Sequence, residues 1–425
     1  MNRIELEITA ESPLALGRQK PGGSLSEVEQ YIPGTVIRGA IASQMLQQSD
    51  QSFMNQTVGG DFHTLFVSDT PAIFQNAYSA IAKTGEAAFT VSSTPIRLLP
   101  ATAVSSKTNS GFKPVGHGVF DTLIDSFCAT AFNQPFEFTD AIAIREGTNA
   151  QVEPYAKLYS QIQGKYYEHT VSSRFLTRVG INRRRATAEE QVLYSIEVLN
   201  ESFAPSLKVA TPDWQNVVYH SASLVEDTVL AQALTQFIND NANVFRIGGS
   251  TSRGLGKIKI EAKIANVVSD VSVRMAQFQE HLKSRWQLWS VFGNPIADLL
   301  IGRTYFTIDL QADAILTEHW QRTTVISPAM LQQFTGVTDE SLTLHIAYSS
   351  YNYRSGWNAA WGLMKDVELV TARGAVYLFS TTQPQLWETA LEELEVKGIG
   401  DRTAEGFGQV RVCDEFHGIF REESV

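Results

Sequence analysis

Apolar and polar residues alternate in RIELEI (residues 3–8) and again in TYFTIDL (304–310), the period of two that marks a strand with one buried face. A helical period follows each: DTVLAQALTQFIND (227–240) and PQLWETALEELEVK (384–397) gather their apolar residues on one face. A strand pattern precedes each helix, NVVYHSAS (216–223) or GAVYLFS (374–380), and a glycine-rich loop with a closing strand, KIKI or QVRV, comes after. Sliding the chain on itself by 152 residues lays IGGSTSRGLGKIKI (247–260) over IGDRTAEGFGQVRV (399–412), with identities at Ile247/Ile399, Gly248/Gly400, Thr251/Thr403, Gly254/Gly406 and Gly256/Gly408. Two duplicated α+β domains are therefore expected, residues 1–265 and 266–425. Met275, Phe278, Leu282, Trp286 and Trp289 recur at helical spacing ahead of a Gly293-Asn294-Pro295 turn, which predicts a connector helix at the start of the second domain. Residues 47–160 show scattered Gly, Pro, Ser and Thr without a sustained period, so the first domain is read as carrying a long insertion there.

The chain has 425 residues, 43% of them hydrophobic, enough for one large core or two medium-sized ones. No apolar run approaches the ~20 residues of a membrane span. The amino terminus reads as a strand without a signal or transit pattern, so a cytoplasmic protein without membrane contact is expected. Cys128 and Cys413 sit in no CxxC or Cys/His cluster, so buried thiols are expected, with no disulfide framework, metal or cofactor.

A formal charge of −11 argues against nucleic-acid binding until its distribution is considered. Residues 165–185 carry six basic side chains (Lys165, Arg174, Arg178, Arg183, Arg184, Arg185) against Glu168, and residues 246–263 carry five (Arg246, Arg253, Lys257, Lys259, Lys263) against Glu261. These windows hold +9, which leaves −20 on the remainder. The second window contains the first glycine loop. That loop is no nucleotide fingerprint: Leu255 stands where a phosphate-binding Lys belongs, and the order is helix, loop, strand instead of strand, loop, helix. Gly59-Gly60-Asp61-Phe62 lacks the second carboxylate of a two-metal palm hairpin. What glycines do offer is close backbone approach and exposed N–H donors, which suit contacts along a phosphate backbone; a tight turn into the last strand is the alternative.

A helix, a glycine-rich loop ending in G-x-G and a strand resemble the signature of the CRISPR-associated RAMP superfamily. SPLALG (12–17), YIPGTVIRGAIAS (31–43) and TRVGINRRRATAEEQVLYS (177–195) look like three further blocks of that family. Within it, GIGDRTAEGFGQVRVCDEFH (398–417) with SGWNAAWGL (355–363) is most similar to the two-domain RAMP subunit of type III-D effector complexes. The resemblance implies two ferredoxin-like (RRM-like) βαββαβ domains. It also implies a binding subunit that holds the 5′ handle of the crRNA, caps a filament of RAMP backbone subunits beside the large polymerase-like subunit, and meets target RNA only indirectly. Pro33-Gly34 reads as a turn, Thr35 as an N-cap and Arg38 as a first-turn cation, whose unfavourable position against the helix dipole suits an anionic partner or a structural ion pair. The RNA-facing set on this reading is Arg18, Lys20, Arg38, Lys165, Arg174, Arg178, Arg183, Arg184, Arg185, Gly248, Gly249, Arg253, Gly254, Gly256, Lys257 and Arg402.

The main rival is an endoribonuclease, since some RAMP proteins cut RNA. Metal-free cleavage needs a general acid and a general base. Of eight histidines none makes a compelling pair, and a structural role is favoured for each. His169, beside Lys165, Tyr166 and Tyr167, is the one to test, because those rings could stack on a base. A purely structural assembly protein is the third class; it would show no affinity for RNA.

Overall fold

A computed structural model describes the chain except residues 19–26, 49–59, 86, 93, 183, 186, 207–212, 267–268, 298 and 359–361, and except the side chains of residues 18, 60, 182, 188–192 and 357–358. The elements that matter in the first half are strand β1 (Asn2–Ala10), helix α1 (Gly34–Gln48), strand β2 (Ile73–Phe74), helix α2 (Leu123–Ala131), strands β3 (Ser173–Asn182), β4 (Thr187–Leu199) and β5 (Val218–Val225), helix α3 (Thr228–Asp240) and strand β6 (Ile258–Ala265). The second half supplies helix α4 (Val271–Trp289), strands β7 (Thr304–Leu310), β8 (Leu316–Glu318) and β9 (Gln321–Thr323), helix α5 (Pro328–Thr335), strands β10 (Thr343–Tyr348), β11 (Tyr351–Arg354), β12 (Glu368–Thr371) and β13 (Val376–Thr381), helix α6 (Pro384–Lys397) and strand β14 (Val410–Val412).

Two antiparallel sheets repeat one order. The first runs β6-β1-β5-β2, the second β14-β7-β13-β10. In each, the opening strand lies between the closing strand and the third: Ile8 faces Ile260 on one side and Tyr219 on the other, and Ile308 faces Val412 and Tyr377. Alternation does what it foretells, since Ile4, Leu6, Ile8 and Ala10 are all buried. α3 starts where Asp227 accepts the Leu230 N–H at 2.7 Å, and it buries Leu230, Ala231, Leu234 and Ile238. α6 starts on Pro384, buries Trp387, Leu391 and Leu394, and ends at Gly398 with a φ of 76°. No described helix is long and apolar enough to cross a membrane.

α1 corrects two expectations. The helix begins at Gly34, whose N–H donates to Asn76 Oδ1 at 2.8 Å, so the cap comes from a side chain distant in sequence and Thr35 lies inside the helix. Arg38 consequently stands in the second turn and not the first.

Residues 47–160 are more than a surface excursion. They include a three-stranded sheet (Val119–Asp121, Ala103–Ser106, Val152–Pro154) and most of a five-stranded one. Leu123, Ile124, Phe127 and Cys128 of α2 pack in one core with Met275, Phe278 and Leu282 of α4 and Tyr305, Phe306 and Ile308 of β7. Asp125 of α2 accepts from Arg285 Nε and Nη2 at 2.9 and 2.7 Å and from Trp289 Nε1 at 2.8 Å. The two halves also meet at Arg354, whose partly buried guanidinium donates to Glu29 and Tyr31 of the first half and to Asp313 of the second, the last at 2.6 Å.

A buried imidazolium closes the carboxyl terminus over the insertion. His417 Nε2 lies 2.8 Å from Asp309 and Nδ1 3.2 Å from Asp121. Burial alone would lower the His417 pKa, but the two carboxylates together raise it well above the ordinary 6.5. A raised folded-state pKa stabilises the fold fully below about pH 6.5, and that contribution is lost as pH climbs through the folded value. Thermal denaturation should therefore show stability falling on the alkaline side. His417→Gln should flatten that limb and cost about 3 kcal/mol, the scale of an uncompensated buried charge; an unchanged alkaline limb would remove this role from the imidazolium.

Candidate nucleic-acid interface

The two glycine loops are built on the same contacts. Gly248 and Gly400 adopt φ of +78° and +77°, and a Cβ on either would come within 2.5 Å of a backbone oxygen, that of Ala15 or Ile315. The next N–H in each loop, Gly249 or Asp401, donates to that same oxygen at 2.8 or 2.9 Å. Gly256 and Gly408, also at positive φ, turn the chain over the Ile247 and Ile399 carbonyls, and their N–H groups donate to Pro13 and Asp313 at 2.9 Å. Only a residue without a Cβ fits such an approach.

The loops then diverge. Gly254 has no atom within 4 Å of where a Cβ would stand, whereas Gly406 is pressed against Gly34 Cα, the Phe74 carbonyl and Asn76 Oδ1. The second loop is thus docked on the start of α1, while the corresponding point of the first is open.

Charge follows the same division. At the docked loop, Arg402 pairs with Glu405 at 2.6 Å and lies over the Phe407 ring, and Lys365 reaches Glu405 at 3.3 Å. Burial raises the Glu405 pKa, but Arg402, Lys365 and the Thr35 hydroxyl bring it down to about 2. Arg38 donates to the Phe66 carbonyl, and its guanidinium sits 5.5 Å from the Phe66 ring centre. Arg402 is thus held in an ion pair with Glu405, whereas Arg38 is held by a backbone carbonyl and an aromatic ring and makes no ion pair among the described residues.

At the open loop a long hairpin, β3 with β4, brings the first basic window to the second. Leu176, Ile196 and Val198 on its inner face pack with Ala15 and Leu255. Arg178 Nη1 donates to the Arg253 carbonyl at 3.2 Å, and Arg253 Nη1 to the Tyr194 hydroxyl at 2.7 Å. Arg184 and Arg185 are exposed at the hairpin's end. Lys257, at the loop's exit, pairs with Glu11 at 2.7 Å. Arg174, further down the hairpin, is held by Asn200 and Glu201 at 2.7 and 2.8 Å. Lys165 stands on a different sheet, opposite Ile162. Lys20, Arg183 and the Arg18 side chain lie outside the described residues. The sequence reading missed Tyr194, and it missed the outer face of the hairpin, where Phe175, Val179, Ile181 and Leu193 are exposed. The alternation in RFLTRVGIN was its visible trace.

His169 is no catalyst in waiting. It is 3% exposed, with Nδ1 2.8 Å from the Ser79 carbonyl and Nε2 2.7 Å from Ser160 Oγ. Since a carbonyl only accepts, Nδ1 carries the proton and Nε2 accepts from Ser160. Burial lowers its pKa to about 4. Of the two rings that could stack on a base, Tyr166 is taken up by Phe112, Tyr159 and Phe416, with ring centres 5.7, 6.0 and 6.0 Å away, and Tyr167 is partly buried with Phe89 edge-on at 5.3 Å. Among the described residues no group of His, Cys, Asp and Glu is arranged to hold a metal ion.

A family model of the RAMP superfamily matches residues 7–259, a stretch that holds β5, the β3–β4 hairpin and the open glycine loop. The chain belongs to the RAMP superfamily. Solved structures similar to this RAMP protein include a chain of the type III-B Cmr-beta complex bound to cognate target RNA and AMPPnP, at 10% identity, 88% coverage of this chain, 86% of that one and a TM-score of 0.39. A chain of the apo Cmr-beta complex gives 11%, 61%, 96% and 0.26 for the same quantities, and oligomeric Cmr4 from Pyrococcus furiosus gives 12%, 62%, 99% and 0.27. No curated protein matches the sequence.

The glycines of this RAMP protein differ in what a side chain would meet, and stability should report it. Gly254→Val, strained only by its φ of +84°, should cost about 1–2 kcal/mol. Gly256→Val adds a collision with the Ile247 carbonyl and should cost clearly more in urea denaturation. Equal losses would mean that the Gly256 approach is not needed.

Proposed function

We propose that this RAMP protein is the RNA-binding cap subunit of a type III-D CRISPR effector complex, holding the crRNA 5′ handle between the β3–β4 hairpin and the open glycine loop. Its partners on this reading are the crRNA, the large polymerase-like subunit and the RAMP backbone subunits, with target RNA met through the crRNA. Family membership and the blocks quoted above support the assignment, and the strand order of both sheets supports reading them as ferredoxin-like domains, residues 1–265 and 266–425.

The observation that carries the proposal is the seating of Arg178 on the Arg253 carbonyl. It joins two basic windows, distant in sequence, at a backbone left open around Gly254. Arg184 and Arg185 extend the surface, and their guanidinium forks match phosphate oxygens. The −20 carried by the remainder repels RNA elsewhere and concentrates it here. Gly248, Gly249 and Gly256 shape the loop for this role, and Arg253 and Lys257 charge it.

Replacing Arg183, Arg184 and Arg185 together by Ala should weaken binding of cognate crRNA and reduce the slope of log affinity against log salt by about 0.7–0.9 per lost phosphate contact. Gly254→Val should weaken binding with the slope kept, because it obstructs approach without removing charge. A triple variant that binds and assembles as the parent does at physiological salt would make these windows solvated faces and end the proposal.

No nuclease chemistry is assigned to His169, since the imidazole is neutral, enclosed and already bonded at both nitrogens. Purified protein incubated with cognate repeat RNA should leave it intact, and His169→Ala should lower stability only. Specific cleavage abolished by that substitution would favour an endoribonuclease.

A further inference from the structure

The hairpin β8–β9 follows the first strand of the second half and closes with only two residues, His319 and Trp320, between the paired Glu318 and Gln321. Both adopt left-handed backbone, φ 48° and 65°, where a two-residue turn ordinarily takes Asn-Gly. Trp320 is 99% exposed, so its indole recovers nothing from this chain for the strain of its backbone or for the apolar surface it shows to water.

The stem beneath it is held firmly. Leu316 is buried, and Arg322 donates to Thr317 Oγ1 at 2.5 Å, to Asp401 at 3.0 Å and to Glu368 at 2.7 Å, which ties the hairpin to the docked glycine loop and to β12. Ser327 donates to Glu318. A rigid stem offering one bare aromatic ring is the arrangement of an interface anchor, because the ordering cost is met before the partner arrives.

Charge decides the class of partner. Arg322 is flanked by two carboxylates, Asp401 and Glu368, and a third, Glu318, opens the turn that carries Trp320, so carboxylates outnumber the one guanidinium and disfavour an RNA backbone. In the first half the chain after Leu16 enters the short strand Gly17–Arg18, so that segment carries a basic residue, Arg18. We propose that Trp320 anchors a protein subunit, entering an apolar pocket rimmed by basic groups, while the first half faces RNA. This rests on reading the chain as part of a multisubunit effector.

The test is co-expression of the tagged chain with the crRNA, the large polymerase-like subunit and the backbone subunits, comparing the parent with Trp320→Ala and with Trp214→Ala, an exposed tryptophan elsewhere. Trp320→Ala should lower the affinity for one protein subunit at least about tenfold while the isolated chain binds crRNA as the parent does; Trp214→Ala should retain both. A Trp320→Ala chain that keeps every subunit, or that loses crRNA affinity instead, overturns the proposal and leaves the RNA-binding reading standing. A parent that captures neither subunit nor crRNA removes the effector reading, and the anchor falls with it.

Discussion

Backbone meeting backbone, with no side chain between, is the constraint on which the molecule turns. Gly248 over Ala15 and Gly400 over Ile315, Gly256 over Ile247 and Gly408 over Ile399 are four approaches that a Cβ would forbid. They fix where each loop leaves its helix and enters its closing strand, and so fix what the loop can touch. A glycine in the middle of a loop is usually read as freedom, but here it is a distance requirement.

Given that common frame, the difference between the halves is electrostatic and steric at a single point. Where the first loop has Gly254 in the open, beside Arg253, the second has Gly406 against α1 and a carboxylate, Glu405, at the helix N-terminus. An acidic group is favoured there by the helix dipole, and Arg402 and Lys365 neutralise it. One copy of the loop thereby becomes an internal joint, held by the Arg402–Glu405 pair, while the other is open at Gly254.

The repeat made much of the fold legible. α6 begins at Pro384 and ends at Lys397 as the periodicity had it, and α3 starts one residue inside its expected span because Asp227 serves as the cap. What pattern could not show was anything settled by a partner far along the chain. Thr35 looked like a cap because Asn76, which supplies the cap, is invisible to local reading. The sequence favours a structural role for His169, but the groups that fill its two ring nitrogens, Ser79 and Ser160, come from other strands and are not legible there. The stretch 47–160 resisted reading because its strands are only two to five residues long, too short for a period to register. At the candidate site, clustering of charge in sequence located the hairpin and the loop, while their contact through Arg178 and Arg253 needed the fold.

The insertion helix has a consequence for how the molecule comes into being. α2 leaves the ribosome early, at about 5–20 residues per second, whereas α4 and β7, which cover its apolar face, are made much later. Leu123, Ile124 and Phe127 must wait, exposed or temporarily sheltered, until the second half is synthesised. The halves therefore cannot mature one after the other like beads on a string, and cutting the chain after residue 265 would separate α2 from the partners that complete its core. The strand order repeats between the halves, but the insertion ties them into one unit of assembly.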